Sequence, residues 1–416
     1  MHKAGPLKRD VIVIGGGAAG MMAAGVAASR GREVLVLEKN KKLGEKLAIT
    51  GGKRCNILNA EEDQKALLKN YGNAEQFLYS PFSKFGMKDT YAFLESRGLP
   101  LKVEARKRAF PESERAADVV ECLRRYMAEG RVQVLLNTPV DAIKRKGGRI
   151  EWVEARGQRY IADSYVLSTG GMSRPETGST GDGFSWLKEL GHSVERPTPT
   201  IVPLKVREAW VKEVSGVSVP DAKITFTVDG VRSFFKTGPI LFTHSGISGP
   251  TVLNSSGKVA ELFQEGEVAA VIDLYPKQDV GTLDKSLAEF FEGAKNKLLR
   301  NAFKEFAPPG MSDVLLSFVP GISPEAKVHS VTKEERRLLV ETLKAIPLSI
   351  TGLMGFEKAV VADGGVPLTE IDTRTLRSQI IENLFVVGDL LHISRPSGGY
   401  SLQLCWTTGF VAGSNA

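Results

Sequence analysis

The chain is poor in the residues that carry redox or metal chemistry by themselves. It has three cysteines, Cys55, Cys122 and Cys405, and no CxxC pair. An odd and scattered set excludes a disulfide framework and a paired dithiol centre, and it fits a reducing, cytoplasmic setting. Histidine is also scarce. His2, His192, His244, His329 and His392 stand apart, none with a second histidine or cysteine at ligand spacing, so no metal site is expected. There is no run of five or more basic residues, although the net charge is +7. The short clusters Lys39–Lys42 and Arg106–Arg108 read as solvated surface with a few phosphate contacts, which argues against nucleic acid as the partner.

An unbroken apolar segment is missing as well. Val11 to Ser29 carries no charge and follows Lys3, Lys8 and Arg9, which outlines a signal peptide or a membrane span. Gly15-Gly16-Gly17 interrupts it. A strand–turn–helix accounts for those glycines, so neither export nor membrane insertion is expected.

What the sequence does have is glycine, 43 of 416 residues, much of it clustered in short motifs. Such clusters suit tight turns and close backbone approach to a ligand. The length implies two or three domains. Asp10–Ile14 reads as a buried strand, Ala18–Arg30 as a small-residue helix stopped by Gly31, and Glu33–Glu38 as a second buried strand. Gly15, Gly17 and Gly20 form GxGxxG between the first strand and the helix, and Glu38 closes the second strand. In that context the motif is a dinucleotide fingerprint. Gly15 makes the turn, Gly17 admits the pyrophosphate, and Gly20 lets helix and strand approach. Ala18 and Ala19 begin the helix whose N-terminus faces the phosphates. Glu38 is placed to accept from an adenosine ribose.

Further along, Phe85–Arg97 and Arg115–Glu129 read as helices. Val132–Ile143, Ile150–Ala155 and Arg159–Ile161 read as a β-meander, and Val166–Ser168 as a separate buried strand. The composition shifts after Gly191. Ala222–Phe242 reads as strands around an Asp229-Gly230 turn. Val268–Leu274 is a strand, Leu283–Phe306 is helical, and Thr332 with Glu335 opens a further helix through a capping box. Leu384–Val387 returns to a strand, followed by a helix over Ser401–Val411. Gly178, Gly181 and Gly183 follow no strand and make no second nucleotide fold.

From Gly44 the sequence reads GEKLAITGGKRCNILN. With it go Leu167–Pro175 (LSTGGMSRP), Thr177–Gly183 (TGSTGDG), Gly238–Pro250 (GPILFTHSGISGP), Val387-Gly388-Asp389 and Ser397–Gln403 (SGGYSLQ). These pieces, in this order over nearly the whole chain, resemble the HI0933-like family of FAD-binding oxidoreductases, which includes aminoacetone-oxidase-like and bile-acid-reductase-like flavoproteins. The resemblance implies an α/β fold: a Rossmann-type FAD-binding domain with an inserted β-barrel-like domain that carries a small helical subdomain. The composition shifts suggest boundaries of 1–194 with 351–416, 195–278 with 330–350, and 279–329.

The resemblance also assigns cofactor contacts. Lys39 lies beside the ribose end. Lys46, Thr50, Gly51, Gly52, Arg54, Cys55 and Asn56 would wrap the pyrophosphate and the flavin edge. The backbone of Val140 would meet the adenine, and Thr169, Gly170 and Gly171 the ADP portion. Gly388 and Asp389 would reach the ribityl or phosphate region. Gly399, Tyr400, Ser401, Leu402 and Gln403 would lie on the pyrimidine edge. Two departures stand out. Lys53 occupies the place of a third glycine. His392 to Gly399 (HISRPSGG) replaces a Gly-Pro-Thr-Gly-Gly pattern, which puts His392 and Arg395 near the flavin.

No catalytic residue is assigned by this reading. His244, His392 and Lys53 are weak candidates, each with a plain alternative: a turn histidine, a surface histidine, a solvated lysine. Cys55 reads as packing or flavin contact rather than a reactive thiol. The expected activity is an FAD-dependent oxidoreductase of a small organic substrate, reduced by NAD(P)H bound transiently or by the substrate itself. The alternative is a flavin-binding sensor or an FAD-dependent RNA-associated protein.

Overall fold

A computed structural model describes residues 7–416; His2 and Lys3 lie outside the described residues. The chain divides into two compact units. One comprises the chain through Pro199 together with Val360–Ala416, and the other is Thr200–Ala359.

The first unit is built on a seven-stranded sheet. Strand Leu7–Ile14 runs parallel to Val34–Leu37, in register from Val11↔Val34 to Ile14↔Leu37. Val11–Ile14 and Val34–Leu37 are buried on both faces, as β-branched and leucine runs of a covered parallel sheet must be. The connecting helix, Ala18–Ser29, is buried almost all round. Its second cover is the C-terminal helix, Tyr400–Asn415. The two approach closely because both carry small residues. A Cβ on Gly409 would lie 2.4 Å from the Ala19 carbonyl oxygen, and one on Gly413 2.4 Å from that of Ala23.

Two strand boundaries differ from the sequence reading. Val132–Ile143 is not one strand. Gln133–Leu135 lies parallel to Val34–Leu37, and Val140–Lys146 lies antiparallel to Arg149–Ala155. Asn137, in a left-handed conformation at φ 50°, and Pro139 break the run. The break is fixed by Asn137 N–H donating to Asn40 O at 2.9 Å and Thr138 N–H donating to Glu38 O at 2.8 Å. Conversely, Arg159–Ile161 and Val166–Ser168 belong to one strand, Gln158–Leu167. It pairs with Arg149–Ala155 on one side and runs parallel to Leu7–Ile14 on the other, from Leu7↔Tyr160 to Ile14↔Leu167. The meander is thus continuous with the parallel sheet. Leu384–Val386 adds in parallel to Tyr165–Leu167, which returns the far end of the chain to the same sheet.

The second unit is a closed six-stranded barrel. Its strands in barrel order are Leu204–Val206, Gly246–Ser248, Val231–Thr243, Ser218–Val228, Val268–Asp273 and Ile346–Leu353. Ile224, Phe226, Phe242, Ile247 and Ile272 fill it. Asp229 and Gly230 turn the long hairpin at φ 48° and 80°, the doubly left-handed geometry that this dipeptide favours. The Leu283–Phe306 segment is two helices, Val280–Gly293 and Leu299–Phe303, rather than one. Thr332 and Glu335 form the capping box, Glu335 N–H donating to Thr332 Oγ1 at 3.1 Å and Thr332 N–H to Glu335 Oε2 at 2.8 Å.

Among the described residues no helix is long and apolar enough to cross a membrane.

Candidate cofactor cleft

The strand edges of the first unit open on an elongated cleft with an empty volume of about 1180 Å³, solvent at its mouth included. Its first wall is the glycine turn. Gly15 sits at φ 102° with its N–H donating to Leu37 O at 2.9 Å. A Cβ on Gly20 would stand 2.0 Å from Gly15 O, so turn and helix are in contact. A Cβ on Gly17 would meet nothing within 4 Å. Gly17 is the N-cap of the helix Ala18–Ser29, and the space in front of it is the cleft. An open N-terminus of this kind presents N–H groups and partial positive charge to an anion.

At one end of the cleft stands Glu38, buried, with Oε2 accepting from Gly16 N–H at 2.6 Å and Oε1 from Asn40 N–H at 2.7 Å. Both bonds fix the carboxylate and leave lone pairs on each oxygen. Lys39, Thr138 and Val140 complete this end. Lys39 Nζ is paired with Asp182 at 2.7 Å.

The other end gathers Lys46, Thr50, Gly388, Asp389, Ser401 and Leu402. Lys46 comes from the helix Glu45–Ile49, Asp389 from the turn after strand Leu384–Val386, and Ser401 from the first turn of the C-terminal helix. Lys46 Nζ donates to Asp389 Oδ2 at 3.0 Å, and Arg395 pairs with Oδ1. Burial pushes the Asp389 carboxyl up, but the two cations outweigh it and hold it down at about 2. The neighbouring Cys405 thiol is pushed up to about 12, first by burial and then by Asp389. Thr169 and Gly170 close the wall between the two ends.

Of the residues that the sequence points to, Gly15, Gly17, Ala18, Ala19, Glu38, Lys39, Lys46, Thr50, Val140, Thr169, Gly170, Gly388, Asp389, Ser401 and Leu402 meet on this one cleft. Others do not. Cys55 and Gln403 are fully buried, and neither is among the residues of the cleft wall. Gln403 Nε2 donates to Thr90 and Thr407, and burial raises the Cys55 thiol far above its ordinary range. Arg54 is held elsewhere, pairing with Glu104 and Glu114 over the Phe110 ring. Gly51, Gly52 and Lys53 are exposed, in consecutive left-handed conformations. Asn56 ties the fold together: with its amide nitrogen toward the Ala109 and Leu58 carbonyls, its oxygen accepts from Gly399 N–H at 3.0 Å. Gly399 itself packs on Leu58, where a Cβ would be 2.2 Å from the carbonyl carbon. Tyr400 packs edge-on against Tyr71, and Gly171 against Asp389. His244 and His392 are exposed, and neither is among the residues of the cleft wall.

Arg395, expected near the flavin, is a buried partner of Asp389 on the cleft. One feature left no signal in the sequence. His192 is also buried, its ring between Glu370 Oε2 at 2.7 Å and Ser378 Oγ at 2.8 Å. Its partners lie far along the chain and left no local signal. No group of three or more His, Cys, Asp or Glu side chains placed to hold a metal ion occurs among the described residues.

The donor set fits FAD. The cleft has a bare helix N-terminus behind an open Gly17, an anchored acceptor in Glu38, and the Lys46–Asp389 ion pair beside a second helix N-terminus.

Comparison with known proteins agrees. The chain is 30% identical over 412 residues to the 3-dehydro-bile acid delta(4,6)-reductase of Clostridium scindens, covering 97% of this chain and 98% of that one. It is 26% identical over 405 residues to the ribosomal RNA dihydrouridine synthase of Haemophilus influenzae, covering 96% of each. Among solved structures, the 3-ketosteroid delta1-dehydrogenase of Sterolibacterium denitrificans matches with a TM-score of 0.55 at 14% identity, over 98% of both chains. The 3-ketosteroid-delta4-(5alpha)-dehydrogenase of Rhodococcus jostii RHA1 matches at 0.53 and 16%, over 98% of this chain and 96% of that one. Both structures share the fold. The family model of the HI0933-like protein Rossmann domain matches residues 9–415. This chain belongs to the HI0933-like Rossmann family of FAD-binding oxidoreductases.

Proposed function

We infer that this protein is an FAD-dependent reductase that adds two hydrogens across a carbon–carbon double bond conjugated to a carbonyl in a small organic molecule, with NAD(P)H as the electron source. The observation that carries the cofactor half is the cleft itself, with its open Gly17 turn and the Lys46–Asp389 pair at its far end. The substrate half rests on the relatives. A delta(4,6)-reductase and a dihydrouridine synthase are both named for saturating a ring double bond.

FAD, when bound, supplies the hydride chemistry. The chain's residues do the rest. The turn Gly15–Gly17 and the helix behind it hold the pyrophosphate. Glu38, already oriented by Gly16 and Asn40, accepts from the ribose. The Val140 backbone meets the adenine. Lys46, Asp389 and Ser401 orient the ribityl and pyrimidine end. The sequence carries no second dinucleotide fingerprint, so the nicotinamide donor binds only while it reacts.

A second reading, reduction of a uridine in RNA, is favoured by one feature. The exposed hairpin tip with Arg106 and Lys107 is tied to the cleft's far end by Asn59, whose amide donates to Arg106 O at 3.3 Å and Gly398 O at 3.2 Å. The test is anaerobic. The FAD-loaded protein is reduced with NADH or NADPH, then mixed with a 3-oxo-4-ene steroid or with a uridine-rich RNA. Flavin reoxidation with a saturated steroid product supports the first reading. Reoxidation by RNA alone, weakened by salt, replaces it with the second. Reoxidation by oxygen and by neither acceptor would overturn both.

A further inference from the structure

The far end of the cleft holds more positive charge than its own ion pairs need. Lys46 and Arg395 flank a single carboxylate, Asp389. Within this ion-paired group two cations and one anion leave one positive charge, with Glu45 a further carboxylate on the cleft wall. Lys46 with Asp389 alone would be a balanced pair, so Arg395 is the surplus.

That surplus is buried. The Arg395 side chain is 1% exposed. Every guanidinium nitrogen is used: Nη1 donates to Ile393 O at 2.6 Å, Nε to Ser401 Oγ at 3.1 Å, and Nη2 to Asp389 Oδ1. Burying a charge is costly unless something of opposite sign meets it. The other titratable groups around it do not. Tyr71, Tyr400 and Cys405 are all pushed up by burial and stay neutral. The sixteen-residue C-terminal helix points its N-terminus the same way and adds partial positive charge. Among the described residues no second carboxylate pairs with Lys46 or Arg395, and Lys46 faces the cleft.

We propose that Arg395 is a positioning residue that fixes Asp389 and makes this end of the cleft net positive, so that FAD bound there is easier to reduce. Reduction adds electrons, and a preorganised positive field favours the more negative state. Arg395 is not on the cleft wall, so it acts through Asp389, Ser401 and the field.

The proposal rests on FAD binding in the cleft but not on the substrate proposed above. Its test needs no substrate, so the two can fail separately. The midpoint potential of the bound FAD is measured against an indicator dye in the unaltered protein, Arg395→Lys and Arg395→Met, with FAD affinity followed by flavin fluorescence. Arg395→Met should lower the potential by about 30 mV or more, a tenfold shift in a two-electron equilibrium. Arg395→Lys, which keeps the charge, should recover most of it. An Arg395→Met protein that binds FAD with an unchanged potential overturns the proposal and leaves Arg395 a structural tie. Should Arg395→Met fail to fold, the unaltered protein still decides: its bound FAD should sit above free FAD in potential, and a value at or below free FAD overturns the idea.

Discussion

At the scale of single residues, the cleft depends on where side chains are absent. Gly20 is the sharpest case. Its Cα faces Gly15 O and the Ser168 hydroxyl, at 2.0 and 2.6 Å from where a Cβ would be. Gly20→Ala should cost about 1–3 kcal/mol by overpacking, and it should also weaken FAD binding, because the turn that moves is the phosphate turn. Urea denaturation and FAD titration check both effects; a variant unchanged in each would mean the turn is not this tight.

His192 offers a residue-scale test by pH. Burial lowers its pKa, although Glu370 pulls it up. The folded ring therefore takes up its proton at lower pH than the unfolded chain, which does so below about pH 6.5. A depressed folded value means stability that is present above the unfolded pKa and lost as pH falls. The urea midpoint should drop between pH 7 and 5, and drop less in His192→Gln. Equal slopes would show that the ring is protonated in the fold.

At the scale of elements, the contact to test is between the first and last helices. Gly409 and Gly413, one turn apart, let the C-terminal helix lie against Ala19 and Ala23. A leucine at Gly413 must push the helices apart, costing about 1–3 kcal/mol or more and moving Ser401 and Leu402 with the helix. Thermal unfolding with and without FAD measures it. A Gly413→Leu protein of unaltered stability and FAD affinity would contradict the packing.

Elements also mark where the sequence could be read. The βαβ unit, the Asp229-Gly230 turn and the Thr332 capping box were legible because each is set by residues a few positions apart. Arg159–Ile161 and Val166–Ser168 carry separate strand signals, and only the long-range pairing with Leu7–Ile14 joins them into the one strand Gln158–Leu167. Cys55 and Gln403 sit inside motifs that touch the cleft, yet their own side chains turn to the core. A motif gives the backbone path, and its side-chain directions depend on distant neighbours such as Thr90 for Gln403.

At the scale of the whole molecule, the residues of the cleft wall come from both ends of the chain, within one compact unit. The second unit has its own core, and its ends meet: Met354 N–H donates to Pro203 O at 2.9 Å. Residues 200–359 expressed alone should therefore fold cooperatively. A broad, non-cooperative melt of that fragment would contradict an independent core.

The central claim is that the cleft holds FAD. The most direct measurement is the visible absorbance spectrum of the purified protein under anaerobic conditions, after reconstitution with FAD and before and after NADH or NADPH. A retained flavin band that bleaches on adding the nicotinamide is the expected result. A band that persists would point to a direct donor such as an amine and remove NAD(P)H from the proposal. No retained flavin, even after reconstitution, would contradict the account.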